Sequence, residues 1–405
     1  MLNDLDGIME ERNLQAVVVL GDTTLGNPDL TYVAGGQLGR GGIYVKRLGH
    51  DPLLVTSNLD IGTARRLRQI KRIHTFTELG LEKLAARHGR ENAQQYLIAS
   101  ILRSEGVRGL VSIYGRNDLS SGIRLADELR KLGVNVVGER SPTVLECARE
   151  TKSREEIKNV RDIGTRTARV VEAVLGILKD SKRKRGRLYL GRRVATVGSV
   201  KKLISSRLTQ EDLIAPEGTI FAIGASGADP HNSGIPSDRI KEGRPIVFDI
   251  FPQSGAGYWF DLTRTFTVGK ADAKTKRLFE TVSEAQQTAM DFLREGVTGE
   301  AAMMKACAVI EEAGYRTIRD VYEGKSKSIA SGFNHSLGHG VGLTIGERPY
   351  LSFLSRDSLK SGQIVTVEPG IYLPRYGGVR IEDTVAITRR GIDNLASVDR
   401  QLELN

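Results

Sequence analysis

Short apolar runs alternate with longer amphipathic stretches through the first third of the chain. Gln15 to Leu20, Leu53 to Thr56, Leu110 to Tyr114 and Val134 to Val137 are rich in β-branched residues, the pattern of buried strands. Between them, residues 61–70, 91–104 and 119–132 have the apolar spacing of helices. This alternation predicts an α/β layer domain over residues 1–148. It holds no phosphate-cradling glycine motif, and Gly39, Gly41 and Gly42 predict only a turn.

The pattern changes beyond residue 148. Ser153 and Glu156 have capping-box spacing, which predicts a helix from there to about Lys179. The basic stretch 181–193 then reads as an exposed loop, followed by a helix over 194–209 and a strand at 219–223. Leu278, Val282, Ala285, Ala289 and Phe292 step by 4, 3, 4 and 3, one apolar face of a helix over 272–295. Gly296 is placed to cap it, and a further helix is predicted over 299–313. The run from Lys241 to Asp249 resembles the run from Lys360 to Glu368: each is a glycine turn, then a strand, then an acid. Each half of 149–405 also opens on a long helix, which predicts an internal duplication that sets two acidic hairpins face to face.

Composition narrows the class. At 405 residues, two or three domains are expected, and 40% hydrophobic with 27% charged residues is ordinary for a globular chain. Two cysteines, Cys147 and Cys307, exclude a disulfide scaffold and fit a reducing, cytoplasmic setting. An acidic N-terminus predicts no signal peptide, and no apolar run is long enough to span a membrane. The net charge of +10 is concentrated between Lys182 and Lys202. Such a run reads as a solvated segment. Without a zinc finger or an aromatic RNA-binding signature, a nucleic-acid partner is not the expected reading.

The candidate chemistry lies in the last 160 or so residues. Asp249 follows the apolar run from Ile246, and Glu368 the run from Ile364. Buried carboxylates are normally paired or bound to metal. Asp261 and Glu382 stand on the return arms of the same two hairpins, and His339 lies between them in a glycine-rich stretch. Gly338, Gly340 and Gly342 disfavour a helix there, so His335 and His339 are expected on a strand or tight loop. Residues two apart on a strand share a face. That places Arg380 beside Glu382 and Thr263 beside Asp261, and aligns Tyr372 with Glu368 if the strand stays regular past Pro369. Four carboxylates balance two divalent ions in charge. Oxygen and nitrogen donors without cysteine suit Mn²⁺, Co²⁺, Zn²⁺ or Fe²⁺.

The order Asp249, Asp261, His339, Glu368, Glu382, with its flanks Phe260 to Thr265, His335 to Gly340, Val367 to Tyr372 and Val379 to Asp383, resembles the pita-bread metallopeptidases. Residues 1–148 resemble the α/β N-terminal domain of their Xaa-Pro aminopeptidase, prolidase and creatinase branch. The resemblance implies an α/β N-terminal domain followed by an α+β pita-bread domain, 149–405, with an internal pseudo-two-fold axis. It implies two divalent ions, Mn²⁺ or Co²⁺ foremost, with Asp261 and Glu382 bridging both, Asp249 on one, and His339 and Glu368 on the other. It further implies cleavage of the N-terminal Xaa-Pro bond of peptides or dipeptides by a bridging hydroxide, with Glu368 shuttling the proton. His231, His335, Tyr372 and Arg380 would contact substrate, with His231 close to the reaction, and the chain would be a homodimer. One position departs from the family pattern. Gly346, seven residues after His339, stands where these peptidases usually carry a second histidine. Altered handling of Xaa-Pro substrates, or a metal-dependent amidohydrolase of other specificity, follows as the alternative. A non-catalytic basic binding protein is the remaining one.

Overall fold

The apolar runs of the first 149 residues become the strands of one sheet in the computed structural model, which describes residues 5–405. The chain divides into two units, Met1–Arg149 and Glu150–Asn405. In the first, β1 (Leu14–Gly21), β2 (Gly42–Arg47), β3 (Leu53–Thr56), β4 (Arg72–Thr75), β5 (Leu110–Tyr114) and β6 (Asn135–Val137) assemble in the order β4-β3-β2-β1-β5-β6. The sheet is mixed: β1 pairs antiparallel with β2 and parallel with β5. Its strands pack helices Ala93–Ser104 and Leu119–Lys131 around a core that includes Val18, Val55, Leu97 and Leu129. β4 lacks a continuous apolar run, and that of β2 is only three residues long, Ile43 to Val45, between glycines and basic residues, which is why the pattern does not announce them.

The second unit repeats one plan. Its first half runs helix Arg154–Asp180, helix Val197–Gln210, then strands Thr219–Ile223, Ile246–Ile250 and Leu262–Val268. Its second half runs helix Ala273–Phe292, helix Gly299–Glu312, then strands Gly338–Val341, Ile364–Val367 and Asp383–Ile387. In each half the middle strand is flanked antiparallel by the other two. The duplication foreshadowed by two short sequence matches is therefore a duplication of whole helix–helix–sheet units. The apolar faces of Ala273–Phe292 and Gly299–Glu312 close over the second sheet, burying Leu278, Val282, Ala306, Val365 and Val385 completely.

Local signals mostly hold. The Ser153 capping box forms both of its hydrogen bonds, and the helix it opens runs one residue beyond the predicted end. Two expectations are corrected. The basic stretch 181–193 is not a loop but a small antiparallel sheet of Lys182–Lys184, Arg187–Leu190 and Arg193–Val194. Arg185 and Gly186, at φ +52° and +69°, make the tight turn that hairpins favour, and Leu188 anchors the sheet by complete burial. Gly296 does not cap the Ala273–Phe292 helix. That helix stops when Leu293, also completely buried, turns extended to reach the core, and Gly296 serves the following turn.

Candidate metal centre

Three of the four acids stand where regular pairing stops. Asp249 sits within strand Ile246–Ile250, opposite Thr263 and Ile220. Asp261 lies just before Leu262–Val268, Glu368 just after Ile364–Val367, and Glu382 just before Asp383–Ile387. The expectation that Glu368 and Tyr372 share one strand is corrected. The chain breaks at Pro369 and changes sheets, because proline offers no N–H to the ladder. Gly370–Leu373 then pairs with Gly377–Arg380 as a separate hairpin. The two halves are sewn together by an isolated bridge between Thr263 and Glu382. His339 lies on Gly338–Val341, and His335 in the bend before it. A Cβ on Gly338 would fall 2.0 Å from the Thr366 carbonyl oxygen, so only glycine lets this strand approach so closely.

These elements surround a cavity of about 460 Å³. Asp249, Asp261, His339, Glu368 and Glu382 all line it, as do His231, His335 and Arg380. Tyr372 does not. It is 1% exposed and lies behind the wall, bonded to both His335 and Arg380. Ligand atoms of Asp261, His339 and Glu382 lie within 4.8 Å of one another. His339 Nε2 is 3.6 Å from Asp261 and 3.5 Å from Glu368. Asp249 is held toward Arg380 by an ion pair.

Around the donors runs a hydrogen-bond frame. Thr263 Oγ1 donates to Glu382 at 2.7 Å and accepts from Arg380 Nε at 3.2 Å. Arg380 Nη1 donates to the Tyr372 hydroxyl at 2.8 Å and to the Pro230 carbonyl. His335 Nδ1 is 2.7 Å from the Ser336 carbonyl, which makes Nδ1 the donor and leaves Nε2 to accept from the Tyr372 hydroxyl at 3.0 Å. Thr366 Oγ1 accepts from the His339 N–H and donates to Glu368.

Three framing residues carry no signal of their own in the sequence pattern. Besides Thr366, Arg264 donates to the Glu382 and Val398 carbonyls and forms a buried 2.6 Å ion pair with Asp383. Gln286 donates to the Val367 carbonyl and to Asp383. Arg264 stands inside the motif from Phe260 to Thr265, but nothing in spacing alone separates it from a surface arginine.

The electrostatics call for cations. Asp249 Oδ1, Asp261 Oδ1 and Glu382 Oε1 are buried without a hydrogen-bond partner, and leaving a buried acceptor unpaired costs about 1–3 kcal/mol. Burial, reinforced by neighbouring carboxylates, drives Asp261 and Glu382 well above the usual carboxyl range. Burial also pushes Glu368 up to about 7 against the pull of Arg380. Desolvation and the Arg380 charge lower His335 to about 3, and burial raises the Tyr372 phenol to about 12. Acid groups this crowded cannot all ionise without positive charge between them. The residues present therefore fit divalent ions.

Gly346 lies on the exposed side of strand Ile345–Leu351, at φ +75°, with no atom within 4 Å of where its Cβ would stand. Its neighbour Ile345 reaches the cavity. Where the sequence pattern leads one to look for an imidazole, there is open space.

The profile of metallopeptidase family M24 matches residues 158–389. Over 398 residues the chain is 29% identical to an Xaa-Pro dipeptidase of Pyrococcus horikoshii, covering 97% of this chain and 96% of that one. It is 41% identical to an Xaa-Pro dipeptidase of Pyrococcus furiosus over 188 residues, 45% of this chain and 48% of the relative. The solved prolidase of Pyrococcus furiosus superposes with a TM-score of 0.73 at 27% identity, covering 98% of this chain and 100% of that one.

Proposed function

The chain belongs to metallopeptidase family M24 and has the pita-bread fold behind an N-terminal α/β domain, and from that premise we propose that it is a dinuclear exopeptidase that hydrolyses the N-terminal Xaa-Pro bond of peptides or dipeptides. The observation that carries this reading is the convergence of five donors on one cavity, with three carboxylate oxygens left unpaired there. The end-to-end likeness to an Xaa-Pro dipeptidase supports the substrate class.

Asp261 and Glu382 would be shared by two divalent ions, with Asp249 completing one site and His339 and Glu368 the other; Mn²⁺ and Co²⁺ suit these donors best. When bound, such ions polarise a scissile carbonyl and acidify water. The protein's own groups supply the rest. Glu368 would take a proton from the attacking water and return it to the leaving nitrogen. Arg380 has five N–H donors, four of which serve Thr263, Pro230, Tyr372 and Asp249. One N–H on Nη2 remains for a substrate carboxylate, which Arg380 would hold by a single bond and not by a fork. His231, exposed on the rim, would contact the substrate backbone. Tyr372 and His335 would act by fixing Arg380 and shaping the wall.

The open position at Gly346 favours a second reading, a metal-dependent amidohydrolase of other specificity on the same site. A panel of Xaa-Pro dipeptides, Xaa-Pro tripeptides and non-proline amides, assayed on protein of defined metal content, separates the two. Preference for proline at the second position supports the first reading, and indifference to it the second.

A further inference from the structure

A second concentration of charge lies away from the acidic cavity. In the small sheet over 182–194, Lys184 stands directly opposite Arg187. An antiparallel bridge on the other edge of the same strand sets Lys241 opposite Arg187 as well. Directly opposed residues share a face, and like charges so placed repel. Three cations thus stand in one cross-strand row. Among the described residues, none of the three forms an ion pair.

The row leads into a cleft of about 270 Å³ lined by Arg239, Lys241, Arg244 and Arg375, together with Gly224 and the ring of Tyr376. Arg239 lies two residues before Lys241 and is bridged to Thr196, so it shares the face of the row. Asp238 is the one carboxylate in the lining, and it accepts a hydrogen bond from Ser226 at 3.2 Å. Four cations less one carboxylate leave the lining at +3, and Asp272, which accepts a hydrogen bond from Tyr376 and feels the charge of Arg244, offsets part of it. Arg375 is held at φ +65°, a region that non-glycine residues rarely adopt. It stands in the turn that joins Gly370–Leu373 to Gly377–Arg380, which carries its side chain to the cleft. The cleft shares no lining residue with the acidic cavity.

We propose that this cleft binds a phosphate-bearing anion with two or more linked phosphates, either free polyphosphate or the phosphate chain of a nucleotide. Guanidinium groups are the side chains best matched to phosphate oxygens, and several phosphates are needed to balance the charge that converges here.

The test is calorimetric titration of the full-length, metal-loaded protein, freed of unbound metal, with sodium triphosphate, ATP and adenosine. Saturable one-to-one binding of triphosphate, or of ATP but not adenosine, is expected. Arg375→Gly and Arg244→Gln should each weaken it at least tenfold. Arg375→Gly also relieves the unfavourable backbone angle, so its effect cannot be ascribed to unfolding. Any anion drawn instead to the metal centre would bind both variants like wild type. Absence of saturable binding at millimolar triphosphate overturns the assignment, as does binding unchanged in both variants. An RNA oligomer that binds tightly through Lys184 and Arg187, yet ignores Arg244 and Arg375, also overturns it by locating the function on the open face.

Discussion

In the proposed mechanism Glu368 carries the heaviest load of any single residue, as a metal donor and as the proton carrier. Glu368→Gln keeps an oxygen donor but cannot move a proton. It should lower kcat by about 10²–10⁴ while changing KM little, and a parallel fall in bound metal would show that Glu368 acts mainly as a ligand. The same carboxyl makes metal-free stability depend on pH. Its folded value of about 7 lies above its ordinary 4.5, so the folded state holds the proton more tightly than the unfolded chain. Below about 4.5 both states are protonated and nothing is lost. As pH rises through the window to about 7, the unfolded chain ionises first and stability falls. Asp261 and Glu382, also shifted upward, act in the same direction. Scanning calorimetry of chelated protein should therefore show Tm falling across that window, and divalent metal at pH 7.5 should restore it. A metal-free Tm that rises with pH there would contradict the proposed acid cage. At Gly346 a side chain has room but not a favourable backbone. Gly346→His should cost about 1–2 kcal/mol in stability from the positive φ. If the missing imidazole limits the reaction, kcat on Xaa-Pro dipeptides should nevertheless rise; an unchanged kcat would remove Gly346 as the cause of altered handling.

At the scale of elements, the site depends on strands that stop or switch sheets on cue. Three of its four acids sit at strand ends, and Pro369 forces the switch beside Glu368. The strand Leu262–Val268 joins the halves, and Arg264 on it ties the Glu382 backbone to Asp383 and Val398. Among the described residues, Arg264→Met would leave the Asp383 side chain only Arg400 and Gln286 as partners. Breaking a buried pair from one side typically costs about 3–5 kcal/mol, so chemical denaturation should show a loss of that order. A loss below about 1 kcal/mol would mean that this arginine does not hold the halves together. Elements with a strong local signature were legible in the sequence: the Ser153 capping box and the stepped apolar face from Leu278 to Phe292. Those governed by partners were not. The basic stretch gave no strand signal because its sheet depends on one buried leucine and a two-residue turn. Gly296 misled because Leu293 is drawn into the core before the helix can reach it.

For the molecule as a whole, two nine-residue echoes in the sequence proved to mark a repeated unit of two helices and three strands. Asp249 and Glu368 were legible because acids after apolar runs are rare, and Asp261, His339 and Glu382 through their place in the two hairpins and the motif order; the structure brings all five to one cavity. Their frame was not legible: Thr366, Arg264 and Gln286 are ordinary residue types whose importance arises only from what folding sets beside them. The Arg380–Tyr372–His335 relay was half legible. All three residues were singled out as substrate contacts, yet Tyr372 lies behind the wall and Arg380 spends four of its donors on the protein. The central claim is that this chain is a two-ion Xaa-Pro peptidase. The most direct measurement is stepwise reloading of chelated protein with Mn²⁺ or Co²⁺, following bound metal and Ala-Pro hydrolysis on the same samples. The account predicts no hydrolysis without metal and activity that climbs until two ions are bound per chain. Undiminished hydrolysis by metal-free protein, or two bound ions with no cleavage of any Xaa-Pro substrate, would contradict it.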